Sequence, residues 1–491
     1  MSLTYEQVVA KVRAGVPVTA DSRSVAPGGV FVAVAGATED GTRYVPAALE
    51  AGAGIVVAGR GAVDAALAAR LAEAGCGLVE CADTRLAVSE LACAQAGTDR
   101  LPLSVVAVTG TNGKTTCAYL LERLWQSLGR KVGVMGTVSY RWPGHCQPAP
   151  LTTPDPVSVH RNLAAMAKAG CEVCIMEVSS HALDQKRVDH VPFAGACFTN
   201  LTQDHLDFHK NMETYFQAKR RLFTEVPRKD KACALNADDA YGRRLAGLGV
   251  GGRTVTYGFA GCPGGCDPRR HLHGDLLSQG TGGVRLRMAF AGETWELDSP
   301  LIGRFNADNL LTVQAMALAM GVKPAELQAL AGFTGVPGRL ERVANGRGLH
   351  VFVDYAHTPD ALVNVLQALR GAGFRQIVTV FGCGGNRDRG KRPLMGEAVA
   401  GLSDIAVLTS DNPRFEDPEA ILQDVLPGLA KAPKTVVEAD RRKATELACG
   451  LVAPDGCLLI AGKGHEDYQI VKGVKHHYSD QEVVRELLGQ A

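Results

Sequence analysis

The sequence lacks net charge, long hydrophobic runs and an ordered cysteine framework. Its formal net charge is +1 over 491 residues. That balance argues against nucleic acid or an acidic surface as partner and leaves anionic ligands to local sites. No apolar stretch reaches the ~18 residues that a membrane helix needs, and no N-terminal run of signal-peptide type is present. A cytoplasmic chain without a membrane span is therefore expected. The 14 cysteines are scattered, unlike the disulfide framework of a small secreted domain. Cys171 and Cys174 form a C-x-x-C at the start of an apolar run, where packing is expected rather than redox chemistry. Internal repeats and low-complexity tracts are also missing.

What is present is ample apolar material, 46% of the chain, and a length that suits about three domains at ~150 residues each. Short apolar strands alternate with amphipathic helices nearly throughout, which is the pattern of an α/β fold with parallel sheets. A first block, residues 1–98, has strands expected near Val30–Val34, Ile55–Ala58 and Gly77–Val79. A second, residues 99–335, has them near Leu103–Val108, Val173–Glu177 and Phe193–Thr199. The stretch 230–300 is less regular and reads as short antiparallel strands and turns. Gly335-Val336-Pro337-Gly338 is the expected hinge into a third block, residues 336–491. Strands are expected there near Leu349–Asp354, Ile377–Phe381, Ile405–Thr409 and Cys457–Ala461.

Chemistry concentrates in the second block. Gly110-Thr111-Asn112-Gly113-Lys114-Thr115-Thr116 stands between an expected strand and a helix over Thr115–Leu128. A glycine-rich turn there aims backbone N–H groups into one hollow, and the helix N-terminus adds positive potential for a phosphate. Lys114 adds a point charge and the Thr115 hydroxyl suits Mg²⁺. The generic phosphate loop wants a glycine where Val108 stands, so this is a shortened variant. Glu177 ends an expected strand and reads as a Mg²⁺ ligand, or else as a helix-capping carboxylate. Asn200–His209 holds Asp204, His205, Asp207 and His209, which suit metal or phosphate work, or a solvated loop. Lys219 falls on the apolar stripe of Met212, Tyr215, Phe216, Leu222 and Phe223. It must snorkel, pair, or lose its charge; a neutral buried amine can add CO₂ to give a carbamate, an oxygen ligand for a second Mg²⁺. Asn306 and Asn309 open an apolar helix, Leu310–Met320, as caps or as readers of an adenine edge. Cys262, Cys266, His271 and His273 offer zinc-type ligands in a Gly- and Pro-rich loop, but their spacing fits no common structural site, and a solvated surface loop is expected.

Taken together, Gly110–Thr116, Glu177-Val178-Ser179-Ser180-His181, Asn200–Asp207 with His205, Lys219, the Asn306/Asn309 helix start, Gly338-Arg339 and Asp354–Pro359 resemble the Mur ligase family over essentially the whole chain. The resemblance implies an ATP-dependent amide ligase of three domains. These are a small N-terminal α/β domain for the uridine end of a UDP-sugar, a central P-loop-type ATPase domain with a mostly parallel sheet, and a C-terminal Rossmann-like domain for the incoming amino acid. It implies that Lys114 and the loop amides hold the β- and γ-phosphates, and that Thr115 and Glu177 hold one Mg²⁺. His205 and a carbamylated Lys219 hold the second, while Asn306, Asn309, Arg339 and Asp354 contact the nucleotide. Ser22 and Ser24 match the uridine side; Thr152, Thr153, Ser179, Gln185 and Arg187 match residues around the muramoyl-dipeptide. A monomer is expected.

Polar loops follow four expected strands of the third block: Asp354–His357, Gly382–Arg387, Asp411-Asn412-Pro413-Arg414 and Gly462–Glu466. Open α/β sheets bind ligands at such strand ends. Asp411–Arg414 is similar to the signature of family members that add meso-diaminopimelate to UDP-N-acetylmuramoyl-L-alanyl-D-glutamate. Diaminopimelate differs from lysine by a distal carboxylate, which the planar forks of Arg414 and Arg387 suit. Asn412, the Gly462 backbone and Glu466 are expected to fix the distal ammonium and carboxylate. With lysine bound, Arg414 would face no anion, at a cost of several kcal/mol. The other readings are an L-lysine-adding ligase of the same family, a folylpolyglutamate synthase, and a nucleotide-binding regulator without turnover.

Overall fold

The computed structural model describes residues 3–36, 39–226, 228–262 and 267–490. The chain divides into two compact units. One runs to His273 and includes Leu311–Leu327; the other holds Gly274–Leu310 and the chain from Gln328.

Within the first unit, the N-terminal stretch builds its own parallel sheet in the order Val18–Thr19, Val30–Val32, Ile55–Gly59, Gly77–Cys81. Its apolar positions face two ways, and each face is covered. Val30, Val32 and Val57 pack with Val8, Val12 and Leu91; Phe31 and Val56 pack with Val45 and Leu71. A Thr98–His160 hydrogen bond of 2.7 Å and a Lys186–Asp83 ion pair of 2.5 Å pin this lobe to the remainder of the unit.

The larger sheet of the first unit centres on Ser104–Thr109, flanked by Phe193–Phe198 and Val173–Glu177, with Val132–Met135 beyond the latter. All four run parallel. Strands buried on both faces read as continuous apolar runs, which is why the sequence located them. Cys171 and Cys174 sit in this core, as packing required; burial pushes both thiols up, so neither is a thiolate at neutral pH.

The first part of the stretch 230–300 corrects the expectation of short antiparallel strands. Arg228–Asn236 and Arg253–Gly258 extend the parallel sheet, with the helix Ala240–Gly247 between them, and His271–His273 pairs parallel to Thr256–Gly258. Gly283–Phe290 and Glu293–Ser299 pair antiparallel, as expected for this stretch. The buried part of the first of these strands, Ala232-Cys233-Ala234-Leu235, is built of small residues and gives a weak hydrophobic signal. His271 hydrogen-bonds Thr256 at 3.0 Å within this sheet. Cys266 of the loop considered for zinc lies outside the described residues.

The second unit holds a sheet in the order Glu341–Arg342, His350–Asp354, Gly456–Ala461, Gln376–Phe381, Ile405–Leu408, Thr435–Val437, parallel except for its first strand. Beneath it Arg441 and Asp480, both fully buried, pair through two bonds of 2.9 and 2.8 Å. Removing one partner of such a pair strands a buried charge, at about 3–5 kcal/mol. Asp480→Ala is therefore expected to lower unfolding stability in urea by about 3 kcal/mol or more; a loss below ~1 kcal/mol would show that the pair is dispensable.

Candidate functional site

The first cluster forms at the strand end Thr109. Gly110 is left-handed in φ (+153°), and a Cβ there would stand 1.9 Å from Thr199 Oγ1; only glycine allows this approach. The loop is zipped to the next strand end: Thr111 N–H donates to the Asn200 carbonyl at 2.9 Å, Asn112 N–H to Asn200 Oδ1 at 3.0 Å, and Thr199 Oγ1 to the Asn112 carbonyl at 2.6 Å. The helix Lys114–Ser127 begins directly after Gly113, so its first N–H groups are aimed at the loop. Lys114 Nζ donates to the carbonyls of Gly110 and Thr111 at 3.0 and 2.9 Å.

Glu177 is buried and within reach of this loop. Its carboxylate accepts from Thr115 Oγ1 at 3.0 Å, and from Thr137 N–H and Oγ1, both at 2.9 Å. The capping alternative for Glu177 is not what the structure shows; Ser179 caps the following helix instead. Thr137 was not legible as a site residue, since no motif surrounds it.

Lys219 is buried on the helix Met212–Thr224, on the apolar stripe where the sequence placed it. It does not snorkel. Nζ donates to the Gly110 carbonyl at 2.8 Å and lies 4.8 Å from the centre of the Tyr215 ring. Burial pulls its proton affinity well below the ordinary lysine value and Lys114 adds repulsion; Asp204 opposes weakly. His205 is left-handed in φ (+53°), 3.4 Å from Asp204 and edge-on to His181. Burial lowers its pKa, as it lowers that of His209 to about 4, so both imidazoles are neutral at pH 7. His209 bonds Ser180 Oγ at 2.9 Å and stacks on Tyr215.

The donor set fits Mg²⁺ in part. A hydroxyl and a carboxylate at a phosphate loop are hard oxygen ligands, and Mg²⁺ completes its shell with phosphate and water. Among the described residues no three Asp, Glu, His or Cys side chains form an all-protein cage. Lys219 fits only after conversion to an oxygen donor, because a bare amine is a poor ligand for a hard cation.

A second cluster gathers five predicted residues beside Glu177. Thr153 Oγ1 accepts from Ser179 N–H at 3.0 Å and donates to the Glu177 carbonyl at 2.9 Å; Arg187 donates to the Thr153 carbonyl at 2.9 Å and to Gln185 at 2.6 Å; Thr152 meets Thr137 at 3.1 Å. Ser22 and Ser24 lie in a separate turn, capped by Asp21.

In the second unit the residues expected at the nucleotide are held by hydrogen bonds of their own. Asp354 is buried, and its two oxygens accept the N–H groups of Leu340 and Ala356 at 2.6 and 2.7 Å. It therefore shapes the Arg339 turn, whose guanidinium covers the Tyr355 ring at 4.8 Å. Asn306 and Asn309 lie inside the helix Arg304–Ala319, not at its cap; Asn306 Nδ2 donates to the Ile302 carbonyl at 2.9 Å, and Asn309 Nδ2 to Asn306 Oδ1 at 3.2 Å.

The four polar loops follow their strands as expected. Arg414 is left-handed in φ (+55°), a costly state for a non-glycine residue that surrounding contacts must impose. Its N–H donates to the Ile470 carbonyl at 2.9 Å and its carbonyl accepts from Lys472 N–H at 2.5 Å. Its half-buried guanidinium donates only to carbonyls, of Gly385 at 3.0 Å and Asn412 at 3.4 Å. Among the described residues no carboxylate pairs with Arg414 or with the exposed Arg387. Arg392, fully buried between Glu416 and Asp424, holds the Gly384 carbonyl from beneath.

Comparisons with known proteins agree along the whole chain. The Mur ligase family catalytic domain matches residues 17–96, the Mur ligase middle domain 108–317, and the Mur ligase glutamate ligase domain 338–464. A UDP-N-acetylmuramoyl-L-alanyl-D-glutamate–2,6-diaminopimelate ligase of Lawsonia intracellularis is 50% identical over 96% of this chain and 95% of its own. The enzyme of that name from Aquifex aeolicus is 42% identical over 96% and 93%. A solved structure of a ligase of the same name superposes with a TM-score of 0.68 at 33% identity, covering 96% of this chain and 94% of that one. With domain matches along its length and relatives this similar over nearly all of it, the chain belongs to the Mur ligase family.

Proposed function

We propose that this chain is an ATP-dependent amide ligase that joins meso-2,6-diaminopimelate to the D-glutamate γ-carboxylate of UDP-N-acetylmuramoyl-L-alanyl-D-glutamate, a step of peptidoglycan precursor synthesis. Its 50%-identical relative carries that activity in its name. The observation that carries the amino-acid choice is Arg414. A guanidinium held in a strained, clamped loop without a carboxylate partner among the described residues is set up for an external one. Lysine, which lacks the distal carboxylate, would leave that charge unanswered, and this favours diaminopimelate by several kcal/mol.

The γ-phosphoryl group passes from ATP to the γ-carboxylate, giving an acyl phosphate. The free amine of diaminopimelate adds to the carbonyl carbon, and the tetrahedral intermediate expels phosphate. The loop N–H groups and Lys114 stabilise the phosphoryl charge; an arriving phosphate is a stronger partner for Lys114 than the two carbonyls it now holds. Mg²⁺ bound by Thr115 and Glu177 would supply further charge neutralisation. Lys219, whose proton affinity burial lowers, can add CO₂ as the free amine with loss of a proton, turning an amine into a carbamate oxygen donor beside His205. Arg339, Asn306 and Asn309 are assigned to the nucleotide. Thr152, Thr153, Ser179, Gln185 and Arg187 are assigned to the dipeptide end of the sugar substrate, and Ser22 and Ser24 to the uridine end.

Phosphate release with ATP, Mg²⁺ and UDP-N-acetylmuramoyl-L-alanyl-D-glutamate is expected with meso-diaminopimelate and not with L-lysine; release with lysine instead would discard the role of Arg414. Arg414→Ala should lower kcat/KM for diaminopimelate by on the order of 10²-fold, the scale of a lost charge-assisted pair. Lys219→Ala should lose activity and recover part of it with high bicarbonate or short carboxylates, whereas full activity without rescue would rule out the carbamate. Stability offers an independent check in metal- and bicarbonate-free protein. Because the folded pKa of Lys219 lies below its ordinary value of 10.5, the unfolded chain binds more protons in between, and stability rises with pH across that window. Lys219→Met should flatten this rise and stabilise the protein at its lower end; an unchanged slope would place a charged lysine in the core.

A further inference from the structure

Lys463 takes no part in the chemistry described above, yet it is fully buried in the loop after the strand Gly456–Ala461. An ammonium has three donors. Three acceptors surround this one: Asp411 Oδ1 at 3.1 Å, Asn412 Oδ1 at 3.2 Å and the Tyr468 carbonyl at 2.8 Å. An unpaired charge at this depth would be prohibitive; here two donors are hydrogen-bonded and the Asp411 carboxylate answers the charge at ion-pair distance. Burial lowers the proton affinity of Lys463, and Asp411 counteracts.

The consequence falls on Asn412. A side-chain amide accepts on one side and donates on the other. Lys463 Nζ and Ile470 N–H, the latter at 2.9 Å, both converge on Asn412 Oδ1, so the amide has one orientation. Its Nδ2 then faces Glu466 Oε2 at 3.0 Å. Glu466 Oε1 accepts from the Tyr468 hydroxyl at 3.3 Å. Two of about four acceptor positions on that carboxylate are thus used, and the rest remain for a ligand cation. The same segment carries Arg414. Gln469 Nε2 donates to the Asp411 carbonyl at 2.7 Å, and Ile470 accepts from Arg414 N–H. Gly464 permits the close packing of this loop: a Cβ there would stand 2.7 Å from Tyr355 Cβ and 2.8 Å from the Gly338 carbonyl.

We propose that Lys463 is a positioning residue for amino-acid recognition: by orienting Asp411 and Asn412 it presents Glu466 to the distal ammonium and Arg414 to the distal carboxylate of the incoming amino acid. This rests on the diaminopimelate-adding reading of the same loops. Lys463 touches no reacting atom, so its removal should weaken binding of one substrate and spare the chemical step.

Steady-state kinetics of Lys463→Met, an unbranched side chain one atom shorter that removes every donor, test this. The KM for meso-diaminopimelate should rise roughly tenfold or more, while kcat and the KM values for ATP and the UDP-sugar stay within about threefold. Wild type inert towards diaminopimelate would overturn the underlying reading and the proposal with it. Active wild type with an unchanged diaminopimelate KM in folded Lys463→Met would overturn the proposal alone. Equal rises in all three KM values would identify a general structural role and overturn it as well. If circular dichroism shows that Lys463→Met does not fold, Asp411→Asn removes the counter-charge and leaves Asn412 and Glu466 in place. A selective rise in the diaminopimelate KM then supports the proposal, and an unchanged one overturns it.

Discussion

The Gly110 carbonyl is the point on which the first cluster depends. It accepts from two lysines, Lys114 at 3.0 Å and Lys219 at 2.8 Å, while the missing Cβ lets Thr199 and Asn200 close in on the other side. Two cationic side chains on one carbonyl cannot both stay charged at low cost in a buried site. Lys114 lies half-buried at the start of the helix Lys114–Ser127. Lys219 is buried beside the Tyr215 ring, and burial makes its proton easier to lose. A single glycine position thus places two lysines, one half-buried and one fully buried, on the same carbonyl.

The second unit uses a buried lysine differently. Lys463 is as enclosed as Lys219, but Asp411 stands 3.1 Å away and two other oxygens accept its hydrogen bonds. Paired charge makes it a structural pin, whereas Lys219 meets a carbonyl and a ring face among the described residues. The contrast follows from the partners supplied by the surrounding loops, since burial is the same in both cases.

Arg414 shows how this pinning can serve selectivity. Its left-handed backbone persists because the hairpin Tyr468–Val471 with Val474–His477 clamps it on both sides. The strain is balanced by backbone hydrogen bonds, and the guanidinium is left with carbonyls alone. A fork poised in this way discriminates by what it would lack with the wrong ligand, which is a stronger filter than extra contact area.

Local pattern in the chain was enough for the α/β class, the central strands of both large sheets, the phosphate loop and the apolar stripe bearing Lys219. The signals are a continuous apolar run, a glycine turn before a helix, and a charged residue at helical spacing. The same patterns left open whether Glu177 caps or ligates and whether Asn306 and Asn309 cap, because both depend on where a helix starts. They misled over the first part of 230–300, where Ala232–Leu235 are too small to announce a buried strand. Lys463 between two glycines after an apolar strand carried the same kind of signal as Lys114 and was readable in principle. Thr137 was not. Folding in three dimensions brought Thr137 to Glu177, Gly110 to Lys219 and Asp411 to Lys463, because each pair joins segments far apart in the chain. The partners of a buried charge are fixed by that crossing of the chain, which no local pattern records.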